Sequence, residues 1–528
     1  MNDSATDVRS SPFESIRPLR HLLWKDLRLL RSLLLAALIG PLAVATLLCL
    51  IRWIWEGNTT DLDGAFATLL FLPGLVTLGA APTLVGTENE ERTFDWMRRL
   101  PTPWWFVVSS KMIAGLLLVL ASIVWTGVIF VCCSFFLDLE MGSRSKDVNA
   151  GWVVFVGFCL LGYVNLVVLT CGFLTAFLIR NSLASAIAII PFAIAWLVCV
   201  SLYASWMNPG STGRLFDPQT SVGEQAVFAM APLFSHLLVI GVVLGLARRR
   251  LVGPSDEPWR FFSWSTDVRP VALKMGVAER PSVVRALVWQ HVQQNRWLLQ
   301  SSLLVMCTAL LAAVMMNRRS EMHGLITFPV LILLQMMLGV SVFHGDNRMP
   351  RRYFFADRGL SPALIWWTRM LVPASVSVVL SVVWVVVSIV LGFEAEYLSH
   401  WGVSLLGIYA LCFLVGASTG QWVRRGVMAY FAAPGVAYFA IVLAALATAP
   451  LPHGLQTMSV MSVAVVISLL ALLGSTWHLT LLTLRGRERW GLWLPAWGWI
   501  SLPIVVIAIT SVSARLLEMT VMLGDRGG

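Results

Sequence analysis

The chain has 528 residues, 58% of them hydrophobic and only 12% charged, with a formal net charge of +10 and a mean hydropathy of +0.78. Soluble domains carry about 25% charged residues, so this chain cannot cover its apolar side chains with a water-facing surface, and a soluble globular fold is excluded. Lipid is the solvent that fits. The apolar runs are continuous, not alternating, which points to helices and away from a closed barrel.

A helix needs roughly 20 residues to cross a bilayer. Runs of that length fall at 32–54, 64–86, 105–135, 151–178, 183–203 and 228–247. After a polar gap they resume at 298–316, 323–343, 364–392, 401–420, 428–448, 458–482 and 495–513. The last run contains Trp497, Trp499 and Pro495, and either crosses or lies at the interface. The expected fold is an all-α polytopic membrane protein: two six-helix repeats, twelve spans, with a thirteenth C-terminal span if the last run crosses. The expected division is a first repeat at 1–250, a cytoplasmic linker at 251–283 and a second repeat at 284–528.

Orientation follows from the basic residues. With the N-terminus inside, 28 of the 38 Lys and Arg residues fall on inner segments, as the positive-inside rule requires. The expected location is a cell inner membrane, multi-pass, with a cytoplasmic N-terminus. Inner loops and anionic lipid account for the positive charge, so no nucleic-acid partner is implied. The eight cysteines lie in apolar runs without a CxxC pair, and the eight histidines form no metal-like cluster; no metal or cofactor is expected.

Two elements recur at the same place in each half. Residues 20–31, RHLLWKDLRLLR, match 285–296, RALVWQHVQQNR, with Arg20, Trp24 and Arg31 spaced as Arg285, Trp289 and Arg296. In the first copy Leu19, Leu22, Leu23, Leu27 and Leu30 share one helical face, while Arg20, Lys25, Arg28 and Arg31 lie largely off it. That is an amphipathic helix on the inner membrane surface, with Pro18 at its start. The second element is the loop after the second span, from Gly86 to Pro101. Thr87 and Glu90 have capping-box spacing. Glu88, Glu90 and Glu91 crowd the first turn and Arg98 and Arg99 the last, which suits the helix dipole. In the second copy Asp346 aligns with Glu88 and Arg369 with Lys111, but Pro350 interrupts a loop that has become basic. A third span of about 30 residues follows each loop, long enough to tilt or project.

At these elements the sequence resembles the permease subunit of an exporter-type ABC transporter, built as a tandem duplication of the six-span unit. The resemblance rests on Trp24-Lys25-Asp26-Leu27-Arg28, on the loop from Gly86-Thr87-Glu88 to Leu100-Pro101, and on Lys111 beyond it. The second half matches in layout and departs in the loop. The resemblance implies docking on a separate ATP-binding cassette subunit, which would bind the ATP. The docking residues would be Glu88, Glu90, Glu91, Arg92 and Thr93, with Trp24, Lys25 and Arg28 from the entry helix. No GxxxxGK[ST] phosphate loop occurs in the chain, so no enzymatic activity of its own is expected. The span centres carry few ionisable groups, the exceptions including His236 and His478. This disfavours an ion-coupled secondary transporter and points to an apolar or lipid-like substrate. A non-transporting anchor for an ATPase is a further alternative. A lipid-linked transferase using outer carboxylates such as Asp61, Asp63, Asp138, Glu140, Glu394 and Glu396 ranks third.

Overall fold

The computed structural model describes residues 17–54, 69, 72–90, 93, 97, 102–136, 150–179, 181–207, 222–252, 282–316, 321–344, 359–390, 395–423, 428–437, 440, 458–485 and 490–525. Among them the secondary structure is helical throughout, with no strand. The chain divides into two compact units: residues 1–42, 68–185 and 204–278, and residues 43–67, 186–203 and 279–528.

In the first unit an entry helix, α1 (Arg17–Leu29), leads through a bend of 52° into α2 (Arg31–Ile54), which belongs to this unit as far as Leu42. Next comes α3 (Leu72–Ala81), a π-helical turn (Pro82–Gly86) and the short α4 (Thr87–Glu90) as one helical path. The helices α5 (Trp104–Phe136), α6 (Ala150–Leu178), α7 (Ser182–Met207) and α8 (Val222–Val252) follow. Helix α3 packs against α5 and α6, α1 against α5, and α8 against α6. The segment from Gly86 to Pro101 is expected to hold a short helix that begins at a Thr87 cap. Instead Thr87 continues the preceding helix, and its hydroxyl donates back to the Thr83 carbonyl. Here Pro82 opens a π-turn, in which the Thr87 N–H donates to the Pro82 carbonyl; a proline suits the first turn, where its missing N–H costs least.

In the second unit α9 (Val283–Met316) is one unbroken helix that runs from the entry segment into the apolar run. It is followed by α10 (Glu321–His344), α11 (Pro362–Val390), α12 (Ala395–Trp422), the short α13 (Met428–Ala437), α14 (Met458–Leu484) and α15 (Trp490–Asp525). The closest pair is α10 with α12. Gly339, Gly416 and Gly420 allow it: a Cβ on any of them would fall on backbone atoms of the facing helix, at Phe413, Met336 and Val340 respectively. Small residues at four-residue spacing let membrane helices approach this closely. Side chains then bridge the elements. Gln335 donates to Ser381 Oγ at 3.0 Å, and the Ser377 hydroxyl donates to Gln335 Oε1. Gln421 donates to the Thr476 carbonyl at 2.9 Å.

Five helices in the described residues are long and apolar enough to cross a membrane: Trp104–Cys133, Gly157–Leu178, Pro362–Val390, Val463–Leu484 and Gly491–Ser513. The bent pair Pro18–Leu29 and Arg31–Thr46 makes a sixth if it is one span. Shorter apolar helices, among them Ser182–Trp196, Val330–Phe343 and Leu406–Trp422, stand at other expected runs. The chain is thus an α-helical protein whose apolar helices suit a membrane.

The glycine contact is testable. Gly416→Val should destabilise the protein by about 1–3 kcal/mol, the usual cost of overpacking. Gly241→Val should cost far less, since a Cβ there meets nothing within 4 Å. Thermal midpoints of the two variants in the same detergent compare them directly.

Candidate functional site

The first unit buries a cluster of charges. It is assembled from three elements: α1, the π-turn with α4, and the start of α5. On α5, Val107, Val108, Ser110, Lys111, Ala114 and Leu118 form a buried stripe at helical spacing. Lys111 sits in that stripe with 1% exposure, and Asp26 on α1 is equally buried. A charge so placed must be paired. Lys111 Nζ lies 3.1 Å from Asp26 Oδ1, 2.6 Å from Glu88 Oε2 and 3.0 Å from the Leu84 carbonyl. Three acceptors thus stand within reach of three N–H donors. The Ser110 hydroxyl donates to the other Asp26 oxygen, Oδ2, at 2.6 Å, so neighbouring residues of α5 grip both carboxylate oxygens. Lys25 pairs with Glu88 Oε1 at 2.6 Å from a half-exposed position at the rim, and its ammonium also lies 3.6 Å from Met97 Sδ. Two acids and two bases balance.

The surroundings fix this geometry. The Leu84 carbonyl belongs to the π-turn, a widening often found at functional sites. Gly86 lets α7 close over that turn: a Cβ at Gly86 would lie 2.7 Å from Ser182 Cα. Asn89 donates to the Ala176 carbonyl at 3.1 Å, tying α4 to the end of α6. Arg250 donates to the Phe177 and Leu178 carbonyls at 3.1 and 3.4 Å, capping the same helix end. Asn181 accepts from the Ala184 N–H at 2.9 Å as the N-cap of α7.

The structure separates the residues assigned to docking. Trp24 is 71% exposed and Arg28 is exposed. Lys25 is half-buried and bound to Glu88. Glu88 is not on the surface: its side chain is 4% exposed and enclosed by Lys25 and Lys111. The loop acid expected to face a partner is an internal anchor, because the helical path through Pro82 turns it toward α5. Thr93 is half-buried, Glu90 is described in its backbone alone, and Glu91 and Arg92 lie outside the described residues.

The outer carboxylates Asp61, Asp63, Asp138, Glu140 and Glu394 lie outside the described residues too, and of Glu396 only the backbone is described. Two members of the cluster, Asp26 and Ser110, were not singled out from sequence. Asp26 had a signal: it stands four residues from both Leu22 and Leu30, at the centre of the apolar face.

The second unit places different groups at the matched positions. His291 stands where the first copy has Asp26, and Arg369 where it has Lys111. Both are buried, at 2% and 0% exposure, beside Asn295 at 6%. His291 precedes the apolar run at 298–316. Burial, and then the nearby Arg369 guanidinium, push its imidazole down from 6.5 to about 3, so it is neutral at physiological pH. Asp346 lies outside the described residues. Within the spans, His236 meets Thr170 Oγ1 at 3.0 Å and His478 accepts from Trp499 Nε1 at 3.1 Å. Each has a packed, hydrogen-bonded setting. No group of three metal-ligating side chains occurs among the described residues. No family model, no curated protein and no solved structure matches this chain.

Removing one buried charge from the cluster should cost more than removing the three buried ones together. Lys111→Met leaves the buried Asp26 carboxylate without its ammonium and should cost about 3–5 kcal/mol, whereas Asp26→Leu, Glu88→Leu and Lys111→Met together should be near neutral. Unfolding midpoints in mild detergent would show the non-additivity.

A second expectation concerns acid. The folded pKa of His291 is lowered, so its stabilising share is complete above about 6.5 and is lost as pH falls toward 3. At pH 5 the loss should be about 2 kcal/mol relative to neutral pH. A His291→Gln variant, measured across the same pH range, should lack that part of the acid destabilisation.

Proposed function

We propose that this chain is the membrane-spanning permease component of an exporter-type ABC transporter, energised by ATP hydrolysed on a separate cassette subunit. On this reading it has twelve spans in two six-helix repeats, with the run at 495–513 as a thirteenth. It lies in the cell inner membrane with a cytoplasmic N-terminus, and it moves an apolar or lipid-like substrate. The observation that carries the reading is the Lys25–Glu88 ion pair beside the exposed Trp24 and Arg28. It joins the entry helix to the segment after the second apolar run, the two elements that the resemblance assigns to ATPase docking. Glu88 is in turn held by Lys111 of the long helix α5 at 2.6 Å, so the entry helix and the start of that segment share one anchor.

Charge chemistry supports the same view. The buried ion cluster of the first unit, Asp26, Glu88 and Lys111, stands near the start of α5, and Thr77 and Asn165 bond between helices at 2.7 Å. A machine driven from outside the membrane needs no intramembrane titrating site.

The test is purification of the tagged chain from native membranes in mild detergent, with mass spectrometry of what accompanies it. A stoichiometric ATP-binding cassette subunit is expected. The surface variant Trp24→Ala with Arg28→Glu should lower its recovery at least tenfold, an effect of about 1.4 kcal/mol or more, while the chain remains folded. A folded chain recovered with no such subunit would sink the reading.

A further inference from the structure

The two entry segments are matched in sequence but built differently. In the first half the segment is a separate helix, α1, set at 52° to the helix after it. What holds it is not its own span but the third apolar helix: Asp26 is gripped by Ser110 and Lys111 of α5 at 2.6 and 3.1 Å. In the second half the segment is the opening of α9, which continues without a break to Met316. Any displacement there passes directly along its own helix. The side chain at the latch position is His291, whose neutral imidazole faces a guanidinium and not an ammonium held by carboxylates.

We infer that the two halves present docking platforms of unequal mechanics. The first is a hinged helix latched through Asp26 and Lys111 to the third span; the second is a rigid extension of its own first span. The inference rests on the docking reading only for the identity of what pushes on the platforms. Lys111 is then the positioning residue of the first platform. Movement imposed at Trp24 or Arg28 reaches α5 through the Asp26–Lys111 contact, because the bend after Leu29 uncouples α1 from α2. In the second half the same push moves α9 as a rod, since the entry segment and the first span are one helix. A helix hinge latched by a compact polar cluster also has two discrete arrangements, tied and untied, which continuous helix lacks.

Hydrogen–deuterium exchange on the full chain in lipid nanodiscs tests this without an ATPase. Asp26→Leu should raise exchange of the amides in 17–29 roughly tenfold, while His291→Leu changes 283–296 by less than about twofold. Equal responses in the two halves would overturn the inference. If Asp26→Leu does not fold, Asp26→Asn keeps the shape and removes the charge, and should raise exchange in the same segment and no other.

With the cassette subunit bound in lipid nanodiscs, Asp26→Asn should lower ATP turnover of the complex several-fold with little change in subunit recovery; His291→Gln should change neither. A simple packing role for Asp26 would lower recovery and turnover together, and would count against the latch. Unequal exchange in a chain that recovers no cassette subunit would leave the latch standing and remove only the docking reading.

Discussion

One buried ammonium organises the first half of this protein. Lys111 begins a helix that is otherwise among the most apolar stretches of the chain, and it has 1% exposure. An unpaired lysine there would neutralise or drag the helix toward water. Its three acceptors come from three separate elements: the Asp26 carboxylate, the Glu88 carboxylate and the Leu84 carbonyl. None of those elements can shift by more than a fraction of an ångström without leaving a charge unmet. The entry helix, the π-turn and the third apolar helix are therefore mutually located by one side chain. Pro82 opens that turn, and Gly86 admits α7 against it.

The second half meets the same packing problem with other chemistry. There the tight element is the glycine-lined pair α10 and α12, where backbone meets backbone. Neutral amides and hydroxyls, Gln335, Gln421, Ser377, Ser381 and Thr480, bond across the helices. Such contacts stabilise without a net charge to desolvate, and they do not single out one junction as the point of failure. The entry segment needs no latch because it never leaves its own helix.

Much of this was written in the hydropathy. Apolar runs are long, and only helices satisfy their backbone in lipid, so the positions of α2, α5, α6, α11 and α14 followed at once. The site was legible in part. Lys111 and Glu88 stood out as charges at matched places in the two halves. Glu88 nevertheless read as solvent-facing, because a cluster of acids before a basic turn is what a surface helix shows. Its burial depends on the rotation that the π-turn imposes, and a π-turn has no periodic signature in sequence. Asp26 was hidden by its neighbours: flanked by Lys25 and Arg28 it looks like part of a polar face, though its spacing from Leu22 and Leu30 places it on the apolar one. The break after Leu29 was equally silent, since the two copies have the same length and layout there, yet only the first is bent.

A buried ion cluster is a poor way to gain stability. Replacing such a group by apolar side chains of similar volume is often neutral or favourable, and the rest of α5 shows that apolar side chains suit this position. What the charges supply instead is a requirement of registry. A leucine stripe tolerates a slide of one turn; Asp26, held at both oxygens by consecutive residues of α5, does not. Rupture is also abrupt, because a half-open ion pair has lost its partner without regaining water. The junction is therefore either closed or open, with little between. That behaviour suits a contact through which force is passed from one helix to another, and it gives the three-way arrangement around Lys111 a reason to persist at the cost of desolvating three charges.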